Sequence, residues 1–266
     1  MKTIAVSNHK GGVGKTTTVF NMGSELAKRG YKVVMVDFDM QGNLSTICGI
    51  PETYDNTIYK AIEMTMDGKD ISQEPVKIKD NLYIWPCNLA MGSTIIKINA
   101  SMGSEKWLKF TLENLKKHFD ADYILIDCAP SIMVDFQNAL VAADEVIIVA
   151  NPTKLSTDGI ISLMTQYRNI KKYLDKPNLK IAGILMNRVD LRTNYTKVMI
   201  DYSEEVFKEL NIFKTLIPTS VKVDECILLN NYIGDCLPNN PVAKAYKLFV
   251  DEYLENENNN REVKAV

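Results

Sequence analysis

The sequence predicts an α/β fold, a mostly parallel, doubly wound sheet with helices on both faces. Three observations carry that expectation. Short β-branched runs alternate with longer helical stretches along the chain, the pattern of successive strand–helix units. Several of the runs are apolar without interruption, as in strands buried on both faces. A glycine-rich turn joins the first run to the first helical stretch, where open parallel sheets build their ligand sites.

A first strand is expected over 3–7, leading through that turn into a helix over 16–29. A second strand over 32–36 runs into the acidic segment Asp37-Phe38-Asp39. Residues 51–80 are mixed and polar and specify no element. Then come a strand over 82–86, a helix over 104–119, a strand over 123–126 and a helix over 134–143. A strand over 145–150, a helix over 156–174, a strand over 181–186 and a helix over 195–210 continue the rhythm. A short strand over 215–217 and a helix over 241–255 close a single domain of residues 1–255. Residues 256–266, rich in Asn and Glu, are expected to form a flexible tail.

With 46% hydrophobic residues in 266, the chain can bury a substantial core, which excludes collagen-like and disordered classes. Five cysteines, widely spaced and without a C-x-x-C pair, exclude a disulfide framework or a zinc site and read as reduced thiols in a cytoplasmic protein. No apolar run of about 18 residues offers a membrane span, and residues 1–8 are too short for a signal peptide. The formal net charge of -2 argues by itself against a nucleic-acid binder. That charge is unevenly spread. Residues 168–197 hold Arg168, Lys171, Lys172, Lys176, Lys180, Arg188, Arg192 and Lys197 against Asp175 and Asp190, a net of +6.

Four segments carry chemistry. In His9-Lys10-Gly11-Gly12-Val13-Gly14-Lys15-Thr16-Thr17 the glycines let successive amides converge on phosphate oxygens, and the helix start adds its dipole. Lys15 would reach the β/γ-phosphates and the Thr16 hydroxyl would hold Mg²⁺. A strict P-loop has Gly where His9 stands, so this is a variant loop with an additional lysine, Lys10. Asp37 and Asp39 sit at the C-terminal end of a strand, where doubly wound sheets bind ligands. Asp127 ends the apolar run Tyr123-Ile124-Leu125-Ile126 and supplies a hard oxygen ligand. Asn187-Arg188-Val189-Asp190 has the spacing of a guanine-reading N-K-x-D motif.

The run K-G-G-V-G-K-T-T resembles the deviant Walker A motif of the ParA/MinD group of P-loop ATPases, and the resemblance extends over residues 2–255. It implies a P-loop NTPase fold with ATP and Mg²⁺ as ligands, ATP being favoured over GTP because the variant loop outweighs the four-residue match. Lys10 would cross a nucleotide-sandwich dimer to the partner's phosphates, Lys15 would act in cis, and Asp39 would position or deprotonate the attacking water. The implied nucleotide contacts are Lys10, Gly11, Gly12, Val13, Gly14, Lys15, Thr16, Thr17, Asn187, Pro218 and Ser220; the implied metal ligands are Thr16, Asp37 and Asp127. Met40 stands where the family's D-x-D-P-Q-G-N segment has proline, and Thr219-Ser220 departs from its I-P-R-N segment.

Within that group the chain is most similar to the short, Soj-like partition proteins. Arg192 matches an arginine and Lys222 replaces another that serve non-specific DNA binding there. The implied activity is slow, partner-stimulated ATP hydrolysis by a homodimer on DNA. A separate ParB-type protein would bind the centromere, since the loop begins too early for an N-terminal helix-turn-helix domain. The location would be cytoplasmic and nucleoid-associated. The tail lacks the basic amphipathic character of a membrane-binding MinD helix, so no membrane partner is expected. The alternative is a MinD-like or orphan ATPase that positions a protein complex without DNA.

Overall fold

The computed structural model describes residues 1–71, 73–174 and 176–265, with side chains through Asn259. Asp175, counted above in the basic segment, lies outside the described residues, as does Val266. Seven strands form one sheet: β1 (Lys2–Ser7), β2 (Val33–Phe38), β3 (Val76–Lys79), β4 (Leu82–Trp85), β5 (Tyr123–Cys128), β6 (Glu145–Ala150) and β7 (Lys180–Met186). Their order is β3-β4-β2-β5-β1-β6-β7. Every pairing is parallel except β3 with β4. The helices are α1 (Lys15–Lys28), α2 (Asn43–Ile47), α3 (Ile58–Met66), α4 (Met91–Ala100), α5 (Trp107–Leu115) and α6 (Val134–Ala142). They continue with α7 (Lys154–Tyr173), α8 (Asn194–Val206), α9 (Lys222–Leu228), α10 (Ile233–Cys236) and α11 (Pro241–Ala265).

Alternation along the strands sends side chains to two cores. Ala5, Val34 and Val36 face a layer that includes α3, α5, α6 and α7. Ile4, Val6, Val33 and Met35 face the layer of α1, α10 and α11. Both faces of the central strands are therefore covered, which is why these strands read as unbroken apolar runs. The chain winds left from β1 to β2 and later right to β6 and β7, so β1 lies at the switch in winding direction. The loop after β1 thus opens into the crevice that such a switch creates.

Three expectations are corrected. The polar stretch 51–80 contains α3 and the edge strand β3; in β3 only alternate residues are covered, so its signal is weak. Residues 215–217 form no strand. Ile217 donates to the Met186 carbonyl and accepts from the Val189 amide, and the Thr219 amide donates to the Val189 carbonyl, but these bonds amount only to an isolated bridge between Val189 and Pro218. The C-terminal helix does not end at 255 but runs unbroken into the predicted flexible tail. Its polar side chains are anchored: Glu252 accepts from the Lys214 and Thr215 amides, Tyr253 donates to Glu145, and buried Glu257 accepts from the Tyr123 hydroxyl and pairs with Lys2. Composition marked Glu257 as part of a solvated tail because its partners, Tyr123 and Lys2, lie over a hundred positions away.

Candidate functional site

The loop of residues 8–14 is held from below by asparagines that each follow a strand directly. Asn8, after β1, donates to the Val149 carbonyl at 2.7 Å and accepts from the Lys10 amide at 2.9 Å. Asn187, after β7, donates from Nδ2 to the Val13 carbonyl at 2.8 Å. Asn151, after β6, with its amide nitrogen toward the loop, reaches the Val13 and Asn187 carbonyls, each at 3.3 Å. The order β1-β6-β7 sets these three side by side. The sequence analysis missed Asn8 and Asn151; the available signal was an Asx residue at the end of each apolar run.

Gly14 caps α1 in the left-handed region, with φ +94, and no side chain caps that helix. Its first-turn amides therefore face the loop and carry the positive end of the helix dipole. Lys15 follows, 7% exposed, with Nζ 3.3 Å from the Lys10 carbonyl. Burial lowers its pKa, opposed by Asp127, Cys128 and Asp39. The amine of Lys10, by contrast, has no ion pair or hydrogen bond among the described residues.

Two carboxylates face the loop from neighbouring strands, because Asp37 on β2 stands in register with Asp127 on β5. Neither oxygen of Asp127 meets a donor in good hydrogen-bonding geometry, although the residue is 1% exposed and the Thr16 hydroxyl is close enough to interact. Burial holds its pKa well above the usual carboxylate range and neighbouring Asp37 adds to this, while Thr16 and Lys15 pull it down. An unsatisfied buried carboxylate is costly unless a cation or donor meets it. Asp37 is better satisfied: one oxygen accepts from the Ser45 amide and hydroxyl at 2.8 and 2.7 Å, the other from the Asp39 amide at 3.3 Å. Asp39 itself is half-buried and accepts from the Gln41 amide. Thr16, Asp37 and Asp127 offer oxygen alone, and no group of three or more His, Cys, Asp or Glu placed to hold a metal ion by themselves occurs among the described residues. That donor set suits a hard cation that keeps water and phosphate in its shell, and does not suit a transition metal.

Burial raises the pKa of Asp37 to about 6. Between the unfolded value of 3.8 and about 6 the folded protein holds this proton and the unfolded chain does not, so the contribution is favourable at low pH and lost as pH rises through 6. Asp37→Asn is accordingly expected to raise the melting temperature of the ligand-free protein at pH 8 by about 2–4 °C. The gain should shrink as pH falls below about 6 and vanish only near the unfolded value of 3.8, which calorimetry across pH would check.

A cavity of about 220 Å³ adjoins the loop, lined in part by Thr17, Asn187, Arg188, Pro218, Ser220 and Tyr246. It brings together the three residues expected to recognise a base, Asn187, Pro218 and Ser220. Asp190 is not among its lining residues. Its carboxylate forms a double hydrogen bond to Arg192 Nε and a terminal guanidinium nitrogen at 2.8 and 2.7 Å, which holds its pKa at about 2. The two larger cavities, of about 550 and 540 Å³, lie at the opposite, N-terminal ends of the strands, around Lys2, Glu145 and Lys180.

The basic segment is divided by the fold. Arg168, Lys171, Lys172, Lys176 and Lys180 gather near the start of β7, whereas Arg188, Arg192 and Lys197 lie beyond its end, about 20 Å away at 3.3 Å per residue. The expected single patch is thus two groups. Arg192 projects from the turn after β7 and Lys222 from the start of α9, and the Val189–Pro218 bridge joins the segments leading to them, on the side of the phosphate loop. Both carry local counter-charges: Arg192 is 86% exposed against Asp190, and Lys222 Nζ contacts both Glu225 oxygens. Such exposed pairs are weak and yield readily to a phosphate.

Residues 1–181 match the family described as an AAA domain. The sporulation initiation inhibitor protein Soj of Bacillus subtilis is 34% identical over 225 residues, 84% of this chain and 87% of Soj. The chromosome partitioning protein ParA of Caulobacter vibrioides is 30% identical over 232 residues, 85% of this chain and 83% of its own. Among solved structures, cobyrinic acid a,c-diamide synthase from Mycobacterium smegmatis with a bound ATP analog and magnesium superposes with a TM-score of 0.79 at 26% identity, covering 94% of this chain and 93% of that one.

Proposed function

The chain belongs to the ParA/MinD family of P-loop ATPases, and from that premise we propose that it is a partition ATPase of the Soj type. In this reading it binds ATP with Mg²⁺, dimerises around the nucleotide, and binds DNA without sequence preference. A ParB-type partner then stimulates slow hydrolysis, which releases the dimer from the nucleoid in the cytoplasm. The observation that carries the ATPase reading is Asp127, buried without a well-placed donor beside Lys15 and the open phosphate loop. The extended similarity to Soj supports the partition reading.

The loop amides of residues 11–16 and the Lys15 ammonium bind the phosphates, in a setting where burial strengthens each contact. Thr16, Asp37 and Asp127 hold Mg²⁺, which when bound neutralises charge on the phosphates. Asp39, half-exposed beside that pair, orients or deprotonates water. The uncommitted Lys10 amine supplies a second cation across a dimer, as an arginine finger does. Adenine is favoured for the cavity because Asp190, the carboxylate a guanine would need, is not among its lining residues.

Asp39→Ala is expected to leave ATP binding intact, to lower hydrolysis at least about 100-fold, and to accumulate an ATP-bound dimer in size-exclusion chromatography. Normal turnover in that variant would remove Asp39 from catalysis. Arg192→Glu with Lys222→Glu is expected to abolish the ATP-dependent DNA shift in a mobility assay. The same assay on the unaltered chain should weaken steeply with salt. Unchanged DNA binding by the double variant would place the DNA surface elsewhere.

A further inference from the structure

Two of the five thiols lie together, beside the cavity but outside the phosphate chemistry. The Cys226 side chain meets that of Cys236, and both belong to the core between α1 and the C-terminal helix. Cys226 is buried, whereas Cys236 is half-buried and within reach of solvent solutes.

The two elements that carry them are fastened unequally. In α10 and the residue before it, Asp235 pairs with Lys28 and Lys79 at 2.8 and 2.9 Å, and the Tyr232 ring lies 4.5 Å beneath Lys28 Nζ. The Ile233 amide donates to Asn21 of α1. This short helix is therefore bolted to the body of the domain. Of the residues of α9, Cys226 is the buried one; Lys222, Asp224, Glu225 and Leu228 are exposed. Val223 and Asp224 of α9 wall the cavity of about 220 Å³. Val223 and Ile227 of α9 pack only partly against the same core, and a segment with a single fully buried side chain opens locally at low free energy.

We propose that Cys226 and Cys236 are a thiol–disulfide site that takes a small-molecule disulfide as oxidant and, once oxidised, fastens α9 to α10. In the first exchange the Cys236 thiolate attacks one sulfur of the small disulfide. A mixed disulfide forms, the small S–S bond breaks, and the departing thiolate takes up the proton that Cys236 released. In the second, Cys226 gives up its proton, its sulfur attacks that of Cys236, and the second small thiol departs. The protein pair has lost two hydrogens and the small disulfide has gained them. Burial, followed by the neighbouring sulfur, pushes the Cys226 thiol up to about 12, so Cys236 makes the first attack and Cys226 resolves it. The inference concerns α9 itself and stands whether or not the cavity takes a base.

The test treats the full chain, without nucleotide, with oxidised glutathione, followed by peptide mapping and hydrogen exchange. The expected product is a crosslinked pair of peptides about 2 Da lighter than their reduced sum, with no retained glutathione. Amide exchange over 222–228 should slow by about tenfold or more and recover with dithiothreitol. Cys236→Ser, at the half-buried position, should show neither crosslink nor slowing. Three results would overturn the proposal: no reaction, a glutathione adduct that persists on Cys236 beside a free Cys226, or a crosslink that leaves exchange over 222–228 unchanged.

Discussion

Lys15→Ala is expected to weaken ATP binding at least about 100-fold, or about 3 kcal/mol, because a charge-assisted contact to phosphate is lost inside a water-poor site. The size follows from burial. Lys15 is already desolvated in the folded protein, which lowers its pKa, and only the carboxylates of Asp127 and Asp39 and the Cys128 thiol oppose this. Its ammonium therefore gives up little further solvation when a phosphate arrives, and nearly all of the attraction is available for binding. Removing it also strips Asp127 of the nearest cation, so that carboxylate shifts further toward its protonated form. The melting temperature without ligand should change by only a few degrees, since an alanine relieves one buried charge while exposing another. Titration calorimetry with ATP and Mg²⁺ checks the first part and thermal melting the second. Retained affinity would dismiss the loop as the phosphate site.

Gly14→Ala should be almost as severe, through shape alone. A left-handed residue with a side chain costs about 1–2 kcal/mol, and the backbone here has φ +94. The added methyl would also collide with Nδ2 of Asn187, the group that donates to the Val13 carbonyl. Relief requires Asn187 to leave the loop, so one substitution distorts the phosphate cradle and the wall of the adjoining cavity together. A loss of about 2–4 kcal/mol of stability, or about 5–10 °C in melting temperature, is expected. Nucleotide affinity should fall by at least about tenfold. Restored affinity in Gly14→Ala with Asn187→Ala would identify the collision as the cause.

Residues 9–17 were legible because their chemistry is local: spacing alone puts glycines in the turn and Lys15-Thr16 at the helix start. The ends of β2 and β5 were legible for the same reason, since an apolar run that stops at an acid announces a carboxylate at a strand terminus. What joins Asp37 to Asp127 is a register of parallel strands, which periodicity does not encode. The basic segment shows the converse failure. Counting along the chain summed eight cations that β7 separates into two groups, because a strand carries its two ends apart while sequence keeps them close.

By itself the sequence determined the fold class and singled out the glycine-rich loop and the carboxylates that the fold sets beside it, since these depend on period, glycine placement and residue type. Tertiary structure alone decided which side chains meet. The order β1-β6-β7 lines up Asn8, Asn151 and Asn187 under the loop. A bridge at Pro218 closes the cavity wall, and the anchoring of Glu257 by Tyr123 and Lys2 holds the helix past residue 255 into the expected tail. These contacts join residues from about 30 to more than 170 positions apart, and only the packing of the whole fold brings such groups within hydrogen-bond reach.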